Sequence, residues 1–413
     1  MDAYWTEFLD SRQIKNQAEQ VLANTALRKL RQERIREVAH SLALNLVRSD
    51  SSERAWQIWF WFNHFNVYPQ KSHIGVVLQS YLFNAIEGSL DFRFADLLRA
   101  VTVHPAMLMY LDNVNNSKAK GNENLARELL ELHTLGVSGG YSQQDVMAAA
   151  RVLTGWTVQL TGNPNEMGRT VFRPAQHDSA MRSVAGILIP AGGAEQLAVL
   201  LDRLANHPAT AQHIARKMCV WWFDSPPEAA VQELTAVYMR TGGSLSALWQ
   251  SAGELHQRHG ASPVFKDPMH YLVSAVKMVC GDIPVVNAQP LVRWMNLLGQ
   301  PLLGRTTPDG YPLQASYWLN SGQLAQRIEL AREVVANAAR LTTPLTLQPD
   351  GLFKSLPRFE LRDLRSTISG HRWVAKRSEL TAMAPSFGSS MANTEELWSL
   401  YLASPEFMYR AGI

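Results

Sequence analysis

Residues 122–136 read NENLARELLELHTLG, a helical pattern that carries more chemistry than its leucines require. Glu128 and Glu131 are spaced i,i+3, which on an α-helix puts both carboxylates on one side. Two carboxylates in a partly buried site repel one another. One pKa rises, and an acid is separated from a base. That is general acid–base chemistry. Arg127 beside them suits an anionic group and also pairs naturally with Glu131 at i,i+4. The amides of Asn122 and Asn124 suit the recognition of hydroxyls, although both positions are also natural helix N-caps.

Histidines supply the second part of the constellation. Asn63-His64 lies inside the apolar run WFWFNHF. A buried polar pair must find partners, because each unsatisfied group costs about 1–3 kcal/mol. The carboxylates of Glu128 and Glu131 are the natural ones. His177-Asp178 has the types of a general base with its orienting group, or of a metal-ligand pair. Adjacent residues point apart, so a satisfied loop histidine stands beside that reading. His133 falls one residue off the polar face, near Gly136, where a cation suits a helix C-terminus. Trp156 and Trp318, in loop contexts, are the tryptophans placed for exposure and for stacking on sugars, whereas Trp56, Trp59, Trp61, Trp221 and Trp222 lie in apolar helices and read as core. The chain has no H-E-x-x-H, Walker A, G-x-S-x-G or C-x-x-C-H motif, and Glu128-x-x-Glu131 lacks the E-x-x-H companion of a di-iron bundle. These residues leave cofactor and metal open.

The elements that must position these groups are helical. Residues 5–48 are rich in helix formers and read as two helices divided near Asn24-Thr25. Residues 54–65 are apolar all round and read as a buried helix. The helix from about Asn124 stops at Gly136, and the next opens at Ser142 with Asp145 completing a capping box. Within 160–192, RTVFRP and SVAGILIP have strand character, which places a small β-hairpin there. Helices resume at 194–206, 208–223, 227–240, 244–257 and 267–280. A long Gly/Pro loop follows at 299–322, then a helix at 322–340, an irregular stretch and a last helix near 394–408. The reading is an all-α, multi-helix globular protein with a small β-insert, its two helical lobes, 1–192 and 193–413, meeting near residue 193.

Composition narrows the classes. Among 413 residues, 46% are hydrophobic, 18% are charged and the formal net charge is +3, too balanced for nucleic-acid binding driven by counterion release. No window approaches a membrane span, and the first residues show no signal peptide. Cys219 and Cys280 sit in apolar runs and read as buried thiols.

The runs FWFNHFNVY (60–68), HPAMLMYLDNVNN (104–116), NENLARELLELHTLGVSGGYSQQDV (122–146), ARVLTGWTV (150–158) and FRPAQHD (172–178) resemble a large bacterial family catalogued as domain of unknown function 1800. HPATAQHIARKM (207–218), FKDP (265–268), GQPLLGRTTPDGYP (299–312) and SPEF (404–407) extend the resemblance over roughly residues 50 to 410. The resemblance carries no established activity. It implies recurrent polar positions at Asn63, His64, Asp112, Asn113, Asn122, Glu123, Asn124, Arg127, Glu128, Glu131, Asp145, Arg151, Trp156, His177 and Asp178. Phe62 stands where the family commonly has histidine, and the N-terminal region is shorter than usual. Family members are often exported, and their genes often neighbour a sulfatase-like family.

Two expectations follow. The first is an enzyme of the bacterial envelope acting on a glycan-like or anionic substrate, small molecule or polymer. Glu128 and Glu131 would do acid–base work, with His64 and His177 as proton carriers or metal ligands. Arg127 would fix an anionic group, while Asn63, Asn113, Asn122, Asn124, Trp156 and Asp178 would complete the binding surface. The second is a non-catalytic helical scaffold, or a partner of a sulfatase-like protein, whose polar cluster is a packing network.

Overall fold

The structure, a computed structural model, describes residues 2–48, 52–259, 264–343 and 394–410. The fold is all-α with small antiparallel strand pairs. Two compact units are present. One holds Met1–Ala39, Glu53–Ala261 and Leu303–Gln314; the other holds His40–Ser52, Ser262–Leu302 and Ala315–Ile413. Among the described residues no helix is long and apolar enough to cross a membrane.

The first unit begins with α1 (Asp2–Gln13) and with α2 (Gln17–Val47) as far as Ala39. The division expected near Asn24-Thr25 falls instead at residues 14–16. Asn16 Oδ1 there accepts from the amides of Ala18 and Glu19 at 2.9 and 3.3 Å. Thr25 cannot cap, because its hydroxyl bonds back to the Val21 carbonyl at 2.8 Å within the continuing helix. α3 (Ser52–His64) is the buried helix its composition demands: Trp59, Phe60, Trp61 and Phe62 are each 1% exposed.

α4 (Ile74–Gln79) runs into a π-helical stretch at Ser80–Ile86, followed by α5 (Phe94–Thr102) and α6 (Pro105–Tyr110). His104 caps α6, its Nδ1 accepting from the Ala106 amide at 3.1 Å, and His207 repeats the device on Ala209, also at 3.1 Å, before the helix that opens at Pro208. In both, His-Pro-Ala puts the acceptor at the N-cap and proline at the first helical position. α7 (Asn124–Glu128) and α8 (Gln143–Val152) form the expected hairpin, and Ser142 with Asp145 closes the capping box.

The β-insert contains two hairpins where one was expected. β1 (Trp156–Val158) pairs with β2 (Thr170–Phe172), while β3 (Arg182–Val184) pairs with β4 (Ile187–Ile189). The second turn, Ala185-Gly186, has positive φ at both residues, as a two-residue primed turn requires. The Ala185 amide donates to Asp145 Oδ1 at 2.7 Å, which anchors the turn on α8. Four helices complete this unit: α9 (Glu195–Ala205), α10 (Pro208–Phe223), α11 (Glu228–Thr241) and α12 (Leu245–Arg258). They fall close to the sequence expectation, and α10 packs on α11 and α12.

In the second unit, α13 (Pro268–Cys280) is apolar around most of its surface and packs on α14 (Gln289–Leu297), α16 (Ser321–Ala336) and α17 (Ala338–Thr342). α15 (Ala315–Trp318) is a single turn between α14 and α16. Trp318, expected to be exposed, is 3% exposed. Val264–Phe265 pairs with Tyr409–Arg410 after the helical segments Thr394–Leu402 and Pro405–Met408. The irregular stretch expected after residue 340 lies, from residue 344 to 393, outside the described residues. Cys219 and Cys280 are buried free thiols, as expected, each pushed up to about 12 by burial.

Candidate functional site

The motif helix does not finish as an α-helix. After α7 the chain widens into a π-helical turn at Leu129–His133. Such turns insert one residue into the α register and recur at functional sites. The extra residue explains a reversal of faces. The α-helical wheel puts Leu132 on the apolar stripe and Leu135 beside the acids. In the structure His133 and Leu135 are buried, at 1% and 3% exposure, and Leu132 is half-exposed.

The carbonyls released by the wide turn are taken by side chains. His64 Nε2 donates to the His133 carbonyl at 3.2 Å, and His213 Nε2 donates to the Leu132 carbonyl at 3.1 Å. The Thr134 hydroxyl donates to the Leu129 carbonyl at 2.6 Å, and the Gly136 amide to the Leu130 carbonyl at 3.2 Å. Gly136 has φ +81°, and a Cβ there would lie 2.8 Å from His213 Nδ1. The expected link from His64 to the carboxylates is therefore replaced by a link to the turn that carries them. His133 is not the C-terminal cation expected of it: burial, with the positive charge of Lys217 nearby, pulls its pKa to about 3. Burial likewise holds His64 neutral, well below the usual imidazole range.

Asn63 also looks elsewhere than the carboxylates. Its Nδ2 donates to the Tyr311 carbonyl at 2.9 Å and its Oδ1 accepts from the Tyr311 amide at 2.6 Å. Asn66 Nδ2 donates to the carbonyls of Arg305 and Thr307 at 3.1 and 2.8 Å, and the Tyr110 hydroxyl donates to that of Thr306 at 2.7 Å. These bonds stitch the Leu303–Gln314 loop to the rest of the first unit and fix Asp309. The Asp309 carboxylate takes a bidentate bond from Arg305 Nη2, at 3.0 and 2.8 Å, together with the Thr307 hydroxyl.

Around the π-turn the charges converge. Glu128 is half-buried and has no hydrogen-bond or ion-pair partner among the described residues. Burial raises its pKa, and the negative charges of Glu131 and Asp309 add to the rise against the opposing Arg127. Tyr141 lies beside Glu131, and Tyr110 beside both Asp309 and Glu128; burial raises both phenols. Lys217 stands one turn after His213 on α10. Burial lowers its pKa to about 8, partly offset by the carboxylate of Asp309. Like Glu128, it has no hydrogen bond or ion pair among the described residues. A carboxyl whose pKa is raised and an ammonium whose pKa is lowered thus both neighbour Asp309. Acid–base chemistry uses such shifts.

The remaining residues are held differently. Arg127 does not pair with Glu131; its Nη2 binds Glu123 at 3.0 Å and Gln143 at 3.0 Å. Asn113, Asn116, Asn122 and Asn124 form a relay. Asn113 Nδ2 holds the carbonyls of Leu153 and Trp156 at 3.2 and 2.8 Å, Asn116 Nδ2 binds Asn113 Oδ1 at 3.1 Å, the Asn122 amide binds Asn116 Oδ1 at 3.0 Å, and the Asn124 amide binds Asn122 Oδ1 at 3.0 Å.

His177 is 5% exposed, with Nδ1 at the Thr154 carbonyl (2.8 Å) and Nε2 at Gln196 Oε1 (3.0 Å). Asp178 takes Arg182 at 2.6 Å and the Ala180 amide at 3.2 Å; these bonds hold its carboxyl below the usual range despite the opposing effect of burial. Trp156 is half-buried, its ring 5.2 Å from that of Phe172. The Glu128 cluster and the His177 cluster are separately bonded.

Lys217, Asp309, Tyr110 and His213 escape a residue-by-residue reading of the motif. Their signals are indirect: the i,i+4 spacing of His213 and Lys217, and the Gly/Pro loop that carries Asp309. Among the described residues no group of three or more His, Cys, Asp or Glu side chains is arranged to hold a metal ion.

These features define an all-α protein in which Glu128, Glu131 and Asp309 neighbour one another at a π-helical turn, with Lys217 of α10 beside Asp309. The chain belongs to the family described as "Protein of unknown function (DUF1800)", whose model matches residues 3–409. No curated protein and no solved structure matches it significantly.

Proposed function

We propose that this chain is an enzyme using carboxylate acid–base chemistry on a glycan-like or anionic substrate. One observation carries the reading: Glu128 is half-buried, has no partner among the described residues, and is pushed toward its protonated form by burial and by Glu131 and Asp309. Glu128 gives its proton to a departing oxygen, while Glu131 takes one from the attacking water or hydroxyl. His64 supports the turn that carries Glu131 and directly follows Glu128, and Tyr110 lies beside Glu128. The test is turnover by the Glu128→Gln variant on a panel of chromogenic glycosides and sulfated oligosaccharides. A loss of at least about 100-fold with an unchanged or higher melting temperature supports the enzyme. Equal turnover by wild type and variant overturns it.

A second reading, a non-catalytic scaffold, is favoured by a different observation. The amides of Asn63, Asn66, Asn113 and Asn116, and one ring nitrogen of His177, are all spent on main-chain carbonyls. Such bonds specify packing. In this reading Glu128→Gln lowers the melting temperature together with His177→Ala.

A further inference from the structure

The cation that meets an anionic group need not be the one nearest the carboxylates in sequence. Arg127 is held by Glu123 and Gln143, and Arg305 by Asp309. Lys217 is held by no group among the described residues, although it is half-buried. It is carried by α10, a 16-residue helix, one turn beyond His213. His213 in turn is tied to the π-turn through the Leu132 carbonyl at 3.1 Å. The helix that carries Lys217 is thereby registered against the π-turn.

The groups facing Lys217 come from four elements: His64 on α3, His133 on the π-turn, His213 on its own helix and Asp309 on the Leu303–Gln314 loop. The three imidazoles are kept neutral by burial, and the Asp309 charge is shared with Arg305. Lys217 is therefore a half-buried cation that no nearby carboxylate claims for itself. One further polar atom points to a ligand. His133 Nε2 is buried and lacks a hydrogen-bond partner, in a side chain that is 1% exposed, whereas the unpartnered Nδ1 of His64 is a lone pair because Nε2 carries that ring's proton to the His133 carbonyl. The two rings are 6.0 Å apart, and both feel the Lys217 charge. A neutral imidazole presents either an N–H or a lone pair, so His133 Nε2 is able to donate to an oxygen that Lys217 also binds.

We infer that Lys217 is the ligand-binding cation of this site, taking an oxyanion (sulfate, phosphate or carboxylate) of the substrate, with Asp309 and His213 as its positioning residues. The inference rests on the enzyme reading above and narrows its substrate to one that carries an oxyanion. It also couples the two halves of the site. A negative group on Lys217 adds to the charges of Glu131 and Asp309, which with burial already raise the Glu128 pKa, so binding favours the proton-bearing form of the donor. The same linkage makes oxyanion affinity fall as pH rises through about 8, where Lys217 gives up its proton.

Inorganic sulfate is the probe, and the full chain is used. Wild-type protein is acetylated with limiting acetic anhydride at pH 8 in sulfate or in chloride of equal ionic strength, and Lys217 is read by peptide mass spectrometry. The expected result is at least about fivefold slower labelling of Lys217 in sulfate, with the surface residues Lys118 and Lys120 unaffected. Equal rates in the two salts overturn the inference. Sulfate titrations with a melting readout give the second measurement. Lys217→Met loses the sulfate-induced rise and Lys217→Arg and Arg127→Ala keep it; retention by Lys217→Met overturns the assignment. If Lys217→Met fails to fold, the wild-type labelling still decides. Failure here is distinguishable from failure of the enzyme reading. A loss of turnover in Glu128→Gln without sulfate protection removes the oxyanion and leaves the acid–base chemistry. Protection without any effect of Glu128→Gln on turnover does the reverse.

Discussion

Asn63 grips Tyr311 by both atoms of its amide, Nδ2 donating to the carbonyl at 2.9 Å and Oδ1 accepting from the amide at 2.6 Å. The pair is 248 positions apart in the chain. Because the grip is two-sided, it sets both the position and the direction of the Leu303–Gln314 loop, and through that loop Asp309. The residue between them in space is Gly310, with φ +76°. A Cβ there would collide with the Asn63 carbonyl oxygen and lie 2.7 Å from Oδ1.

Gly310→Ala is therefore expected to destabilise the protein by about 2 kcal/mol or more, since left-handed strain and a backbone collision act together. Urea denaturation at neutral pH measures it. A variant as stable as wild type would mean the loop does not rest on Asn63. Gly186→Ala is the control: φ there is +75°, but nothing lies within 4 Å of the added carbon.

Acid should destabilise the chain well before its carboxylates titrate. His73, His104 and His133 have folded-state values of about 4, 4 and 3, and His64 is depressed as well, all by burial. The unfolded chain takes up these protons near 6.5, the folded chain only below about 4. Stability is complete above 6.5 and declines as pH falls from there toward 4. The two fully buried residues, His64 and His133, each contribute a slope of up to about 1.4 kcal/mol per pH unit. Denaturant midpoints at pH 7.5, 6 and 5 give the slope, and equal midpoints would contradict it.

Glu128 has the opposite sign. Its pKa is raised on folding, so its ionised form weakens the fold once pH passes the folded value. Glu128→Gln removes that charge, and the variant should melt at or above the wild-type temperature at pH 7.5, with the difference shrinking toward pH 4. Scanning calorimetry at the two pH values reads both ends. A variant that melts several degrees lower at pH 7.5 would assign Glu128 to packing.

His177→Ala should behave as a structural loss. It strands the Thr154 carbonyl and Gln196 Oε1, two groups now satisfied in a buried setting, at a cost of about 1–3 kcal/mol. Oxyanion binding at Lys217 should be unchanged in any folded fraction, because none of the His177 hydrogen bonds reaches the π-turn. A His177→Ala variant of full stability that no longer responds to sulfate would place His177 in the site.

Local rules are enough for much of this molecule. The capping box at Ser142, the histidine caps at His104 and His207, the five helices between 195 and 280, and the all-round apolar α3 follow from side chains acting on their own backbone or on nearby water. The motif itself is legible because too many polar groups share one helix. Tertiary structure decides what each of those groups does. The π-turn rotates His133 inward and Leu132 outward, which no α-helical wheel anticipates, because the extra residue is stabilised by side chains from α3 and α10 that take its carbonyls. The partners of Asn63 and His64 are main-chain atoms distant in the chain, invisible to spacing. Asp309 comes beside Glu128, and Lys217 beside Asp309, only because folding brings α10, the motif helix and the Leu303–Gln314 loop together, and burial, a property of the packed whole, shifts their titration.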